Sequence, residues 1–425
     1  MKFKLILCCI AILLAGPARL RAQQEDTLKL SLTAAEQRFL DSNFTLLASK
    51  YNIDIAKAEV ITAGLYTNPE LSYENILYNP ENRKIYDVGY NGNNQVELSK
   101  VFRLAGKRNK SIRLAESGVK LSEYDFFDLI RTLNFELRDN FFRIYFYRHS
   151  FDLYEFQLNS LKQILGAFRE QLNKGNIASK DVLRVQSLII NLSAEQTNLL
   201  NEINEATTEI KTLLRIDAST PFLPEWDHNE VRANPLANVT YMELLDSARV
   251  NRYDLKQAKE QIQYQQLNLQ LQKAMAVPDL TVAATYDKQG NFTRNYNGLL
   301  LSMPLPFFNR NQGNIKQAKS QVEQTRVLYR QTEDQLNQQV KQQYELALNT
   351  EKLYDGIDTA FDSNYNKLIG EVRSNFLRRN ITILEFIDFY DSYKETITQL
   401  NEIRYRRFLA LEAINYTVGK NIIQF

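Results

Sequence analysis

KGNIASKDVL, residues 174–183, and RRNITILEFI, residues 378–387, are two versions of one short polar stretch. The pairs Asn176-Ile177 and Asn380-Ile381 lie 204 residues apart. In each copy an acid is followed two residues later by a branched aliphatic, Asp181 by Leu183 and Glu385 by Ile387. Both copies fall between long stretches of helical periodicity, so the chain of 425 residues makes the same turn twice.

The duplication extends outward from the turn. LYTNPELSYE at 65–74 matches AMAVPDLTVA at 274–283, with Pro69 and Pro278 in register at an offset of 209. ELSKVFRLAGKRNKSIRLA at 97–115 matches LLSMPLPFFNRNQGNIKQA at 300–318, aligning Ser99 with Ser302 and Ala115 with Ala318 at an offset of 203. Upstream, DSNFTLLASK resembles RVNRYDLKQA. Each half therefore has one order of parts: a helix, two strands joined by a loop, a long helix, the polar turn and a returning helix.

Punctuation is sparse, with 14 Gly and 9 Pro, and residues 81–220 and 307–425 contain no proline, as uninterrupted helices require. The turn-to-strand spacing predicts helices from Asn109 to Lys174 and from Asn314 to Arg378, each roughly 100 Å long at 1.5 Å per residue. Ile130, Leu133, Leu137, Phe141, Ile144 and Leu199, Ile203, Ala206, Ile210, Leu213 alternate threes and fours, the spacing of coiled-coil packing. One helix before the strands, over about 33–64, and one after the turn, over about 181–215, together equal one long helix in length.

Strands begin at the two prolines, a position proline tolerates. Leu71 and Tyr73 alternate with Ser72 and Glu74, Val96 and Leu98 with Gln95 and Glu97, and Val282, Ala284 and Tyr286 with Ala283, Thr285 and Asp287. That is the period of a strand with two unlike faces. Tyr78, Tyr86, Tyr90 and Tyr296, beside the Asn- and Gly-rich strand loops, fit either an interfacial aromatic girdle or ordinary hairpin tyrosines. Glutamine-rich faces at 257–273 and 331–345 fit either solvated surface or the wall of a water-filled tube.

The chain divides into a signal peptide over 1–22, a first repeat over 23–216, a linker over 217–240 and a second repeat over 241–425. Strands are predicted at about 69–78 and 93–102 in the first repeat and at about 278–287 and 297–306 in the second, with the turns at 174–180 and 378–384. Both cysteines, Cys8 and Cys9, lie inside the leader, so the mature chain is expected to be thiol-free and unlipidated. Removing Lys2, Lys4, Arg19 and Arg21 takes the net charge from +2 to −2, which gives no basic excess for nucleic acid. No later run is apolar for the eighteen or so residues of a membrane helix, so a membrane span would have to be made of strands.

LSLTAAEQRFLDSNFTLLASKYNIDIAKAEVITAGLYTNPELSYE, the junction LSKVFRLAGKRNKSIRLAE and the paired turns resemble the TolC-like outer-membrane efflux and secretion channels, in the right order from about residue 28 to 419. The resemblance implies a mostly α fold with a small β part, in which the duplicated repeat forms, as a homotrimer, a twelve-stranded outer-membrane barrel on a long periplasmic α-helical barrel. Independently, four strands cannot close a barrel, and an open sheet edge is intolerable in lipid, so some oligomer is required. Segment 217–240 becomes an equatorial belt in which Trp226 is a packing anchor.

By the same resemblance the two turns are the periplasmic hairpin tips, where a membrane-fusion adaptor docks on Lys174, Gly175, Asn176 and Ile177 and on Arg378, Arg379, Asn380 and Ile381. Gly175 stands where the family has its tip glycine, whereas the second repeat has Arg379 there. The acids Glu385 and Asp388, at i and i+3, would ring the narrowest aperture, with Asp181 joining them from the first repeat. Converging like charges should then raise some of these pKa values. Ile381 replaces the family's latching arginine, leaving Arg378 or Arg379 for that role.

Gly106-Lys107-Arg108 resembles a junction of the heavy-metal-efflux branch; Gly106 permits the turn, and the cations would meet lipid phosphates. His149 and His228 lie far apart and Met242, Met275 and Met303 do not cluster, so no metal site and no cofactor are expected. No nucleophile–base constellation or phosphate loop appears, and the chain reads as a channel rather than an enzyme. The implied function is the passive exit duct of a tripartite pump whose inner-membrane component is of resistance-nodulation-division or ABC type. Alternatives are the outer-membrane channel of type I protein secretion and a secreted coiled-coil structural protein.

Overall fold

The computed structural model describes residues 27–80, 83–89, 92–226, 234–290, 293–357, 361–378 and 380–423. The leader, Tyr90, His228 and Arg379 lie outside the described residues.

The order of elements is β1 (Leu28–Ser31), α1 (Leu32–Ser42), α2 (Phe44–Gly64), β2 (Glu70–Asn75), β3 (Tyr78–Asn79), β4 (Lys84–Ile85), β5 (Asn94–Phe102), α3 (Lys107–Asn173), α4 (Ser179–Leu214), β6 (Phe222–Glu225), α5 (Tyr241–Asn251), α6 (Tyr253–Met275), β7 (Leu280–Asp287), β8 (Tyr296–Ser302), α7 (Gln312–Asp355), α8 (Phe361–Leu377) and α9 (Ile383–Val418). The first long helix, α3, runs for 67 residues without a break.

Two expectations of continuity fail. The helix before each strand pair is two helices, split at Asn43 and at Arg252, both of extended backbone. Asn43 caps the new start by accepting from Leu46 N at 3.0 Å, a bond that favours a restart over propagation. The second long helix also ends early: α7 stops at Asp355, and the N–H groups of Gly356 and Ile357 both turn back to Tyr354 O. A proline-free tract thus does not guarantee an unbroken helix.

The chain forms two compact units. One comprises residues up to Ser42, Leu137–His228 and Tyr365–Glu402. In it β1 pairs in parallel with β6, Leu28 opposite Phe222. Its core joins Leu158, Leu161, Val185, Phe376, Phe386 and Tyr390. Leu137, Phe141, Ile144, Ile203, Ala206 and Ile210 of the expected seams are buried. Trp226 meets the rings of Phe142 and Tyr145 edge-on, each at 5.5 Å, as a packing anchor does.

The other unit comprises Asn43–Glu136, Asn229–Asn364 and Ile403–Phe425. It holds a four-stranded antiparallel sheet in the order β2-β5-β7-β8 and a core that includes Leu244, Leu245, Leu336, Val340, Leu411 and Ile414. The last turn of α7 is clamped by Arg407, whose Nε and Nη2 donate to Glu351 at 2.7 and 3.0 Å. The guanidinium lies 4.0 Å from the Tyr354 ring centroid, and both charged side chains are only 1% exposed. At the end of α9, Arg131 donates to Tyr416 O at 2.9 Å and Arg252 to Thr417 O at 3.0 Å, satisfying carbonyls that a helix end leaves open. Gly419 follows at φ +75°, packed so closely on the Arg252 backbone that a Cβ would meet it at 3.4 Å.

Candidate functional site

The two polar turns close in the same way. At the end of α3, Asn176 N donates to Gln171 O at 2.9 Å and its side-chain amide to Gln171 Oε1 at 2.8 Å. At the end of α8, Asn380 N donates to Asn375 O at 2.9 Å and its side-chain amide to Asn375 Oδ1 at 3.2 Å. The recurring asparagine is thus a two-point clamp on the residue five positions back, stopping the helix and satisfying its last carbonyls. In the first turn Gly175 has φ +74° with open space around its Cα. Its neighbour Lys174 is paired with Glu170, and this pairing holds the Glu170 carboxyl below its ordinary range.

Ile381 packs against the core that contains Phe376 and Phe386, an apolar role in place of a latch. Ile177 is half-buried, whereas Arg378 and Asn380 are exposed.

After the turns the helices restart differently. In the first repeat Ala178 precedes α4 without a side-chain cap, and Asp181 stands in the first turn, half-buried. In the second, Thr382 and Glu385 form a capping box: Glu385 N donates to Thr382 Oγ1 at 3.2 Å, and Glu385 Oε2 accepts from Thr382 N at 2.7 Å and Oγ1 at 2.8 Å. These bonds lower the Glu385 pKa. Within one protomer this is opposite to the rise expected from converging acids, because donors of its own helix end hold the charge. Glu385 and Asp388 are both exposed, on the side of α9 away from buried Phe386 and Tyr390.

One turn further on lies a polar cluster that sequence reasoning missed. Lys394 of α9 pairs with Glu195 of α4 at 2.9 Å, and Tyr154 of α3 donates to the same carboxylate at 3.1 Å. Buried Tyr390 donates to Gln157 O at 3.0 Å, and burial raises its pKa. Burial also raises Asp391; Lys394 opposes the shift, and Glu195, Glu395 and Asp388 add to it. The acid run Asp388, Asp391 and Glu395 was visible in the sequence, but its basic partner was not distinguishable from surface charge.

The second unit holds the sheet. Register aligns Leu71 with Leu98, Leu98 with Ala284 and Ala284 with Leu299; the parallel row runs Tyr73, Val96, Tyr286. The alternate rows are Ser72, Glu97, Thr285, Gly298 and Glu74, Gln95, Asp287, Tyr296. Residues directly opposite share a face, so the alternations of the strands sum to one mainly apolar face, interrupted by Lys100 and Asn297, and one mainly polar face that also carries Ala283 and Leu300. On the apolar face Leu71 is 70% exposed and Leu299 73%. The edges β2 and β8 pair with no further strand among the described residues.

The Gly106 junction is a turn at φ +66°, but its cations do not reach outward. Lys107 Nζ is buried and bonded to Asp279 at 2.6 Å. Arg108 donates to Gly64 O at 2.6 Å and stacks on Tyr66. Both cations are thus bonded within the protomer, which corrects their assignment to lipid phosphates. Among the described residues no group of three or more His, Cys, Asp or Glu is placed to hold a metal, and no helix is long and apolar enough to cross a membrane.

This fold is shared with solved outer-membrane channels. A solved structure of CusC, described for its folding and transmembrane channel formation, matches with a TM-score of 0.71 at 15% identity over 92% of this chain and 92% of its own. In sequence, the outer membrane efflux protein family matches residues 244–353. The cobalt-zinc-cadmium resistance protein CzcC of Cupriavidus metallidurans is 22% identical over 306 residues, 71% of this chain and 68% of CzcC. The pyoverdine export outer membrane protein OpmQ of Pseudomonas aeruginosa is 23% identical over 310 residues, 69% of this chain but only 64% of OpmQ. Over these stretches the chain is similar to outer-membrane efflux proteins.

Proposed function

We propose that the protein is the exit duct of a tripartite efflux pump, a homotrimer in the outer membrane that passively conducts cargo delivered by a periplasmic adaptor and an inner-membrane pump. The observation that carries this reading is the sheet: four antiparallel strands, one mainly apolar face and two edges that pair with no further strand among the described residues. Lipid tolerates no open edge. Three copies joined β8 to β2 give a closed barrel of twelve strands. The two repeats, with the linker between them, supply the helices of the periplasmic tunnel.

In this reading the turns at 174–180 and 378–384 are adaptor-docking tips, and Glu385, Asp388 and Asp181 line the gate. The reading involves no catalysis. Cargo is drawn from two relatives, CzcC, named for cobalt, zinc and cadmium resistance, and OpmQ, named for pyoverdine export. Metal cations come first, because the Gly106-Lys107-Arg108 junction resembles the metal branch. Crosslinking in mild detergent followed by planar-bilayer recording tests the duct: a conducting trimer is expected, and a monomer soluble without detergent would end the proposal.

A further inference from the structure

We infer that a slot between α3, the start of α6 and the end of α9 binds a carboxylated amino sugar, presented by the cell-wall glycan that surrounds the tube. This rests on the duct reading above, which stands these helices in the periplasm. The slot has a volume of about 210 Å³ and is walled by Phe127, Phe135, Tyr253 and Tyr416. That is below the roughly 300–1,000 Å³ of a drug-sized site, and a helix about 10 Å across cannot enter. A single ring with short substituents fits.

The aromatic walls are backed from behind. Phe127 stacks on Tyr253 with centroids 4.8 Å apart and planes 23° from parallel, and Lys256 lies over Tyr253 at 4.4 Å. Phe127 still leaves 42% of its surface exposed. Tyr416 is held by the Phe135 ring at 4.8 Å and by the Arg131 guanidinium at 4.1 Å. Rings already packed lose little further freedom when a ligand stacks on them. A pyranose suits such a platform, because it offers an apolar C–H face with a hydroxyl rim.

Charge and hydrogen bonding select the substituents. Arg131 is committed to Asp128 at 2.7 Å and to Tyr416 O at 2.9 Å. Lys420, also in the slot, is exposed and has no carboxylate partner among the described residues. An anion on the ligand therefore has a cation to meet. The side-chain amides of Asn134 and Asn421 make no hydrogen bond among the described residues, and each can donate to and accept from an N-acetyl group. A purely apolar partner would leave Lys420 and both amides unused, and a metal cation would be repelled. Phe127 and Phe135 stand about 30 and 42 Å along α3 from its start at Lys107. A tube in the periplasm meets at that depth a polymer of N-acetylated, carboxylate-bearing amino sugars.

The test sediments full-length protein in mild detergent with purified cell-wall glycan, using the soluble disaccharide of N-acetylglucosamine and N-acetylmuramic acid as competitor. The parent should pellet with the glycan and be released by this disaccharide, but not by the uncharged dimer of N-acetylglucosamine. Lys420→Gln should weaken retention about tenfold or more, as loss of a charge-assisted hydrogen bond does. Phe127→Ala should weaken it as well, and the exposed Lys420 keeps the test decisive if that variant does not fold. Equal retention of the parent and Lys420→Gln, or release by the uncharged dimer, overturns the site. Binding of the soluble disaccharide without retention on the glycan overturns the wall contact. Retention by a protein that does not conduct would end the duct and leave the slot standing, whereas a conducting channel that ignores the glycan ends the slot alone.

Discussion

Substituting arginine at two adjacent positions of β5 separates the faces of the sheet. Leu98 is the middle residue of Asn94–Phe102. At about 3.4 Å per residue and a tilt of about 45°, the strand rises some 20 Å, so its centre falls near the bilayer midplane. Leu98 lies opposite Leu71 and Ala284 in the apolar row, whereas Ser99 lies opposite Glu70 and Ala283 in the other. An arginine facing lipid at the midplane costs about 2–4 kcal/mol, a loss of about 30- to 1,000-fold in the folded fraction at 1.4 kcal/mol per decade. Leu98→Arg should show this cost in urea titrations of folding into vesicles, followed by heat-dependent gel mobility. Ser99→Arg, facing water, should stay within about 0.5 kcal/mol of the parent. Equal costs, or a larger one for Ser99→Arg, would refute the face assignment and with it the barrel.

Arg407→Met should destabilise the protein by about 3–5 kcal/mol, since it strands the buried Glu351 carboxylate; adding Glu351→Leu should recover most of the loss in denaturant titrations. Asn176→Ala and Asn380→Ala should each loosen their turn by about 1 kcal/mol, seen as faster amide exchange at the preceding helix end with an unchanged trimer. Lys174→Glu should weaken adaptor binding in pull-down while leaving insertion intact; lost insertion would assign the residue to folding. The Glu385 cap has a folded pKa below its unfolded value. Its stabilisation is therefore full above the ordinary carboxylate range and is lost as pH falls through the lowered value. Amide exchange at the start of α9 should follow that course in the parent and lose its pH dependence in Thr382→Ala.

Much of the fold was legible because both periods, two in the strands and three-to-four in the helices, are set by backbone geometry. The duplicated prolines located β2 and β7, and the alternation of Val96 and Leu98 with Gln95 and Glu97 defined the two faces of β5. The breaks at Asn43, Arg252 and Gly356 were not legible. They depend on local bonds, such as that from Leu46 N to the Asn43 side chain, that compete with helix propagation only by small margins. At the site, the repeated Asn-Ile was visible as a pattern, but its cause, a clamp on Gln171 and on Asn375, needed coordinates. Lys107 and Arg108 looked like surface cations because sequence cannot show that Asp279 and Gly64 O stand within reach.

The duplication has also drifted in a way that bears on the gate. Both turns keep the asparagine clamp, but only the second restarts its helix with a capping box, and Asp181 has no counterpart to Thr382 at its N-cap. A gate built from Glu385, Asp388 and Asp181 would thus join one acid anchored by its own helix end to two that are not. The capping box accepts glutamine as well as glutamate, so Glu385→Gln removes charge while keeping the restart of α9. Combined with Asp388→Asn, it isolates electrostatics from folding. If three copies bring these acids around one axis, the double variant should lose cation preference and block by multivalent cations in single-channel recordings. Unchanged selectivity, with α9 still starting at Ile383 by amide exchange, would leave Glu385 as a helix cap and remove it from the gate.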